Sequence, residues 1–164
     1  YMIPQFYFGF LSGFSGLVFY EPLIYQMYNI SMTGLPIMYY ALFDFEYSKL
    51  NFLKCPNYYK IGMTNSCFGY QIFGQWLLYA LFHGGIVYFV VLLAINVGQE
   101  REDGQKLELW AAGNLTYGGS IFVANFVLMY KFNVMDGYNL ILIIISCLAF
   151  FVLSFVENYV RGIP

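Results

Sequence analysis

The sequence predicts an all-α protein, a polytopic transmembrane helix bundle. Three observations carry that reading. Apolar runs at 22–43, 76–97, 109–130 and 138–156 each approach the ~20 residues that a helix needs to cross a bilayer. Only 10% of the 164 residues are charged, against 60% hydrophobic, whereas a soluble domain carries about a quarter charged residues. Aromatic residues make up 23% of the chain, with 17 Tyr and 18 Phe. Tyr suits a bilayer interface, because one end of its ring is apolar and the other wet. No run alternates as a half-buried strand would. The net charge of −2 argues against a nucleic-acid partner. Cys55, Cys67 and Cys147 are far apart in sequence and read as free thiols.

The first apolar stretch, about 1–14, is too short to span and reads as the outer end of a helix whose beginning lies upstream. The chain is therefore expected to be a piece of a larger polypeptide. Residues 15–21 make a very short connection, so the first helix and the next are expected to be antiparallel neighbours. The helix over 22–43 carries no charge between Glu21 and Asp44, but it holds Asn29, Thr33 and Pro36. In a regular helix Tyr25, Asn29 and Thr33 recur every four residues and share one face. Pro36 cannot donate to the carbonyl of Met32, and Gly34 adds backbone freedom. The expected result is a helix weakened near mid-membrane, with an unpaired carbonyl beside the polar stripe. Such a group survives at that depth only if protein or a wet cavity satisfies it. A neutral amide, a hydroxyl and a carbonyl suit a zwitterionic or hydroxylated group. The bland alternative is that Asn29 and Thr33 bond a neighbouring helix. Cation coordination needs carboxylates, and Glu21 and Asp44 lie at opposite ends of the run.

Residues 44–74 form a long loop with Lys49, Lys54 and Lys60 among many aromatics, suited to the membrane surface. Helices are expected over 75–97, 109–131 and 138–157. Lys and Arg favour the cytoplasmic side. The loop at 44–74 and the turn after Lys131 hold most of the lysines, which places both in the cytosol and the acidic turn near Glu100 outside. His83, followed by Gly84 and Gly85, is expected to hydrogen-bond at a helix contact that the glycines bring close. Gly113, Gly118 and Gly119 are expected to form a close-packing face, and Asn125 must find a buried partner. Asn29 and Asn114 begin glycosylation-like triplets inside apolar runs, where the pattern is discounted. There is no nucleophile–base pair, phosphate loop or metal-ligand cluster, so no catalytic residue is assigned and no cofactor is expected within this stretch.

The order of several motifs resembles the C-terminal membrane region of the phospholipid-transporting P-type ATPases, the lipid flippases. These motifs are Gly13-Phe14-Ser15-Gly16, Tyr20-Glu21, Tyr28-Asn29, Thr33-Gly34-Leu35-Pro36 and Phe43-Asp44. Pro56, Tyr59, Gly62, Asn65 and Phe68 follow at the family's spacing, then His83-Gly84. Glu21 stands where that family usually has Asp, and Gly69 replaces an Asn. The resemblance implies that 1–14 ends the fifth membrane helix and that the four full runs are helices six to nine. It implies movement of phospholipid from the exoplasmic to the cytosolic leaflet by the complete enzyme, with ATP and magnesium acting outside this stretch. It puts Asn29, Thr33, Pro36 and Tyr25 on the head-group path. It also implies a multi-pass protein of the plasma membrane or of Golgi or endosomal membranes, in contact with membrane lipids, the remainder of the same chain and a two-span accessory subunit. Two other readings are a stand-alone structural membrane subunit and a cation-pumping relative. The second should show carboxylates within 22–43, and there are none.

Overall fold

A computed structural model describes residues 1–64, 68–98 and 109–161, and every regular element among them is helical. α1 (Met2–Leu11) ends where Gly13 and Phe14 turn the chain at positive φ, +61° and +53°. Phe14 N–H closes that turn on the Gly9 carbonyl at 2.8 Å. The following segment is exposed through Val18 and then turns inward. Phe19 and Tyr20 are buried, Phe19 stacks on Phe8 with ring centres 4.6 Å apart, and the Tyr20 hydroxyl donates to the Tyr1 carbonyl at 2.9 Å. The return strand thus contributes two aromatic residues to the core before α2 (Pro22–Met27) starts. Pro22 sits in the first turn, where its missing N–H is spare. The Glu21 carboxylate caps the helix by accepting from Leu23 N–H at 2.6 Å and Ile24 N–H at 3.3 Å.

The helix expected over 22–43 is divided. α2 passes into a π-helical turn, Tyr28–Met32, and a new helix, α3 (Gly34–Phe43), begins after Thr33. Beyond it come two short helices, α4 (Lys49–Lys54) and α5 (Tyr58–Met63), joined by a small aromatic cluster. Tyr47 stacks on Tyr58 at 4.6 Å, and Phe52 meets Tyr59 at 5.1 Å. α6 (Tyr70–Gly98) is one continuous helix of 29 residues. α7 (Leu109–Lys131) and α8 (Gly137–Arg161) complete the bundle.

Among the described residues, two helices are long and apolar enough to cross a membrane: the stretches Tyr70–Ile95 and Gly137–Val160 of α6 and α8. α7 is long but less apolar, because it lies at the centre. It packs against α3, α6 and α8, and it buries Gly113, Thr116, Tyr117, Gly118, Ser120 and Asn125. Large apolar side chains such as Phe89, Leu93, Ile144 and Phe155 face outward instead. Polar groups inside and hydrocarbon outside is the arrangement that a lipid solvent selects.

The glycines of α7 do not share one face. An added Cβ on Gly113 would overlap the Phe19 carbonyl, one on Gly118 would meet the Phe150 ring, and one on Gly119 would meet Val87. They admit three different neighbours: the return strand, α8 and α6. Gly84 and Gly85 likewise admit Ile3 and Tyr7 of α1. At one end of the bundle, Asp44 accepts from Asn133 N–H at 3.0 Å, Val134 N–H at 3.1 Å and Asn133 Nδ2 at 3.0 Å. This clasp holds the end of α3 to the α7–α8 turn, so the loop after Asp44 and that turn lie at the same end.

Candidate functional site

The break between α2 and α3 is built by local competition for one carbonyl. The Thr33 hydroxyl donates to the Tyr28 carbonyl at 2.9 Å, and Thr33 N–H reaches the same oxygen at 3.0 Å. A backbone bond spanning five residues is the π-helical pattern, and it displaces the regular register by one residue. Thr33 then leaves helical geometry, with φ −135°. Gly34 follows, so close to the Asn29 carbonyl that a side chain there would overlap it. Pro36 occupies the first turn of α3, where a backbone N–H has no intrahelical partner in any case. The break therefore precedes Pro36, and the proline starts the second half-helix rather than interrupting one.

The register shift also separates the polar stripe. Thr33 is buried and directed into the bundle, Asn29 is exposed on the outer face, and Tyr25 lies between, its hydroxyl 3.6 Å from Met2 Sδ. The common face expected of a regular helix is lost, because a π turn rotates everything beyond it.

Carbonyls before the π turn and at its last residue are met by one helix. The Tyr117 hydroxyl donates to the Ile24 carbonyl at 2.9 Å and approaches that of Tyr25 at 3.3 Å. Eight residues further along α7, or roughly 12 Å at 1.5 Å per residue, Asn125 Nδ2 donates to the Met32 carbonyl at 3.2 Å. The carbonyl that Pro36 was expected to leave unpaired thus has a donor. The reason is that an unpaired carbonyl away from water is expensive and a neighbouring amide removes the penalty. Asn125 Oδ1 is buried without a hydrogen-bond partner.

Two cavities adjoin the break. One of about 730 Å³ lies between α1, the π turn, α6 and α7, and it includes His83, Tyr28, Ser120 and Lys131 in its wall. The other, about 300 Å³, lies between α3, α6 and α7 and includes Thr33 and Asn125. His83 does not bridge two helices as expected. Its ring is stacked on Tyr79, centres 6.3 Å apart, and it faces the larger cavity. Lys131 Nζ lies 5.1 Å from the centre of the Trp76 ring at the same cavity. Among the described residues no group of His, Cys, Asp or Glu is arranged to hold a metal ion. The site offers neutral donors and acceptors beside an apolar groove, with the Lys131 ammonium at one end, which is chemistry suited to binding.

A family described as phospholipid-translocating P-type ATPase C-terminal matches residues 1–163. The chain is similar to human "Probable phospholipid-transporting ATPase IM", with 29% identity over 124 residues, 75% of this chain and 10% of that protein. It is also similar to human "Phospholipid-transporting ATPase IH", 29% identical over 118 residues, 71% of this chain and 10% of that protein. Human "Phospholipid-transporting ATPase IG" is 26% identical over 122 residues, 74% of this chain and 11% of that protein. The chain thus spans about a tenth of the length of the curated relatives it matches.

Proposed function

The chain belongs to the phospholipid-translocating P-type ATPases, as their C-terminal membrane region, and from that premise we propose that it is part of an ATP-driven flippase moving phospholipid from the exoplasmic to the cytosolic leaflet. The observation that carries the reading is the broken helix. Between Glu21 and Asp44 the chain holds no charge, and its two helical halves meet at a π turn that contains Asn29 and is closed by Thr33. A discontinuous helix at a repeat or bundle interface is how membrane transporters present backbone and neutral side chains to a polar cargo. The absence of a carboxylate within that stretch favours a zwitterionic or hydroxylated head group over a bare cation.

In this reading Asn29 offers its amide to the passing head group from the outer face. Thr33 and Pro36 set the shape of the break, and Tyr25 stands one turn above it. The end of a fifth helix (α1) and helices six (α2 and α3), seven (α6), eight (α7) and nine (α8) cross the membrane. The Asp44 end faces the cytosol. ATP and magnesium act on parts of the enzyme outside this chain, and a two-span accessory subunit contacts the opposite end. The membrane is the plasma membrane or one of the Golgi and endosomal system.

The test is Asn29→Ala in the complete ATPase. Lipid-stimulated ATP hydrolysis should fall, or lipid preference should change, by roughly two- to tenfold, the value of about 0.5–1.5 kcal/mol for one hydrogen bond. Phosphorylation by ATP should persist. Normal transport of every lipid tested would leave the polar residues as helix-packing groups and sink the proposal.

A further inference from the structure

The two short helices after Asp44 carry a face of distinct chemistry that no other described residue covers. In α4 the side chain of Phe52 turns inward to Tyr47, Tyr58 and Tyr59. At about 100° per residue, Leu50 and Leu53 lie about 60° apart on the other side, with Lys49 and Lys54 each about 40° beyond them. Leu50 and Leu53 are 66% and 71% exposed, and Met63 at the end of α5 is 83% exposed. Residues 48–64 contain Lys49, Lys54 and Lys60 but no Asp or Glu. Of the two carboxylates that precede this stretch, Asp44 is engaged by the α7–α8 turn and Glu46 is exposed, so the segment 44–64 keeps a net charge of +1 and the stretch 48–64 a net charge of +3.

We propose that α4 and α5 form a docking surface for anionic phospholipid at the membrane–water boundary. Leucines bordered on both flanks by lysines fit that occupant. The apolar side chains enter the acyl boundary, while the lysine stems lie along it and lift their ammonium groups to the phosphates. The chain supports the placement. Asp44, which follows α3, is bonded to the turn after α7, and Lys131 at that end of α7 lies over Trp76 near the start of α6, so both ends of the segment leave the bundle at the same end. The aromatic cluster fixes the two helices to each other, so the surface is preformed rather than ordered on contact. The proposal depends on the bundle lying in a bilayer and not on the lipid-path reading of Asn29.

The experiment uses the complete ATPase in nanodiscs without ATP, with an environment-sensitive fluorophore on Cys55, the substitutions Cys67→Ser and Cys147→Ala, and every reactive cysteine elsewhere in the enzyme replaced by Ser; the same enzyme with Cys55→Ser must take up no label. Cys55 is exposed at the end of α4. Discs of phosphatidylcholine are compared with discs that also contain phosphatidylglycerol. Both faces of a disc carry the same lipid, so the outcome is independent of orientation. The expected result is a blue shift and slower amide exchange over 49–63 in the anionic discs, reversed by salt. The triple substitution of Lys49, Lys54 and Lys60 by Gln should lower the bound-to-free ratio about a hundredfold at low salt. Leu50→Asn with Leu53→Asn should abolish the shift with the lysines intact. Identical spectra in the two discs, or a shift that survives the triple Gln variant, would overturn the proposal. So would a shift that follows the phosphorylation state of the enzyme and ignores lipid charge, because the occupant would then be the enzyme's own soluble domain.

Discussion

Removing the Tyr117 hydroxyl asks whether α7 holds the break open. Tyr117→Phe keeps the ring against Tyr20 and Tyr28, centres 5.0 and 5.6 Å away, and deletes only the oxygen. Tyr117 is 1% exposed, so no bulk water replaces the lost donor to the Ile24 carbonyl. Interhelical hydrogen bonds in membranes average about 0.6 kcal/mol and reach about 1.7. A buried carbonyl left unpaired costs about 1–3 kcal/mol. Together these give about 1–2 kcal/mol, or roughly a five- to thirtyfold loss in the population of the held geometry. The assay is lipid-stimulated ATP hydrolysis of the complete enzyme, measured beside phosphorylation by ATP and the temperature of inactivation. Stimulation should fall and inactivation should come at lower temperature, while phosphorylation at low temperature is retained. A variant matching the parent in stimulation and in heat stability would refute the claim that this hydroxyl braces α2.

Asn125→Asp should be far more damaging than Asn125→Leu. The first sets a carboxylate oxygen against the Met32 carbonyl, whereas the second leaves that carbonyl without its donor, at a cost of about 1–3 kcal/mol, but also removes the unpartnered Oδ1; yield of folded enzyme after detergent extraction orders the two. Gly113→Ala should destabilise by about 1–3 kcal/mol, and more than Gly118→Ala, because Gly113 faces the fixed carbonyl of Phe19 whereas Gly118 faces a ring that can tilt; equal heat stability of the two would contradict the packing. Asp44→Ala removes an acceptor shared by three donors and should loosen the α7–α8 turn, read as faster amide exchange at Asn133 and Val134. A membrane-impermeant thiol reagent added to intact cells should fail to label Cys55, and efficient labelling would reverse the orientation proposed for the Asp44 end.

The helices were legible because a bilayer imposes length. The helices expected over 109–131 and 138–157 are α7 and α8, Leu109–Lys131 and Gly137–Arg161. α6 begins earlier than 75, at Tyr70, because hydrophobicity marks contact with lipid and not helicity, and Gln71 and Gln75 are good helix formers. A weak point in 22–43 was also legible, from Thr33, Gly34 and Pro36 together. Its cause was not. The sequence points to proline as the breaker, yet Pro36 falls where a helix has spare donors anyway. The decisive event is the Thr33 hydroxyl and N–H converging on the Tyr28 carbonyl, a local competition that periodicity does not register. The partners were further out of reach. Tyr117 and Asn125 bond carbonyls about ninety residues away, and the sequence marks each only as a polar group on an apolar helix.

That pattern bears on the proposed lipid path. If Asn29 and Thr33 acted alone, the break would be a property of one helix and its geometry would drift with it. Instead the two half-helices are referenced to a single rigid element. Tyr117 fixes carbonyls before the π turn and Asn125 the carbonyl of its last residue, both from α7. α7 is itself locked by Gly118 against α8 and Gly119 against α6. An exposed amide on a held break keeps its position relative to the bundle, whereas one on a free hinge does not. Selection among head groups differing by one hydrogen bond needs such constancy, because about 1 kcal/mol of discrimination is lost if the donor can follow the wrong ligand. Substitutions at Tyr117 should therefore blur lipid preference even though the side chain lies on the far side of α2 from any lipid that Asn29 could touch.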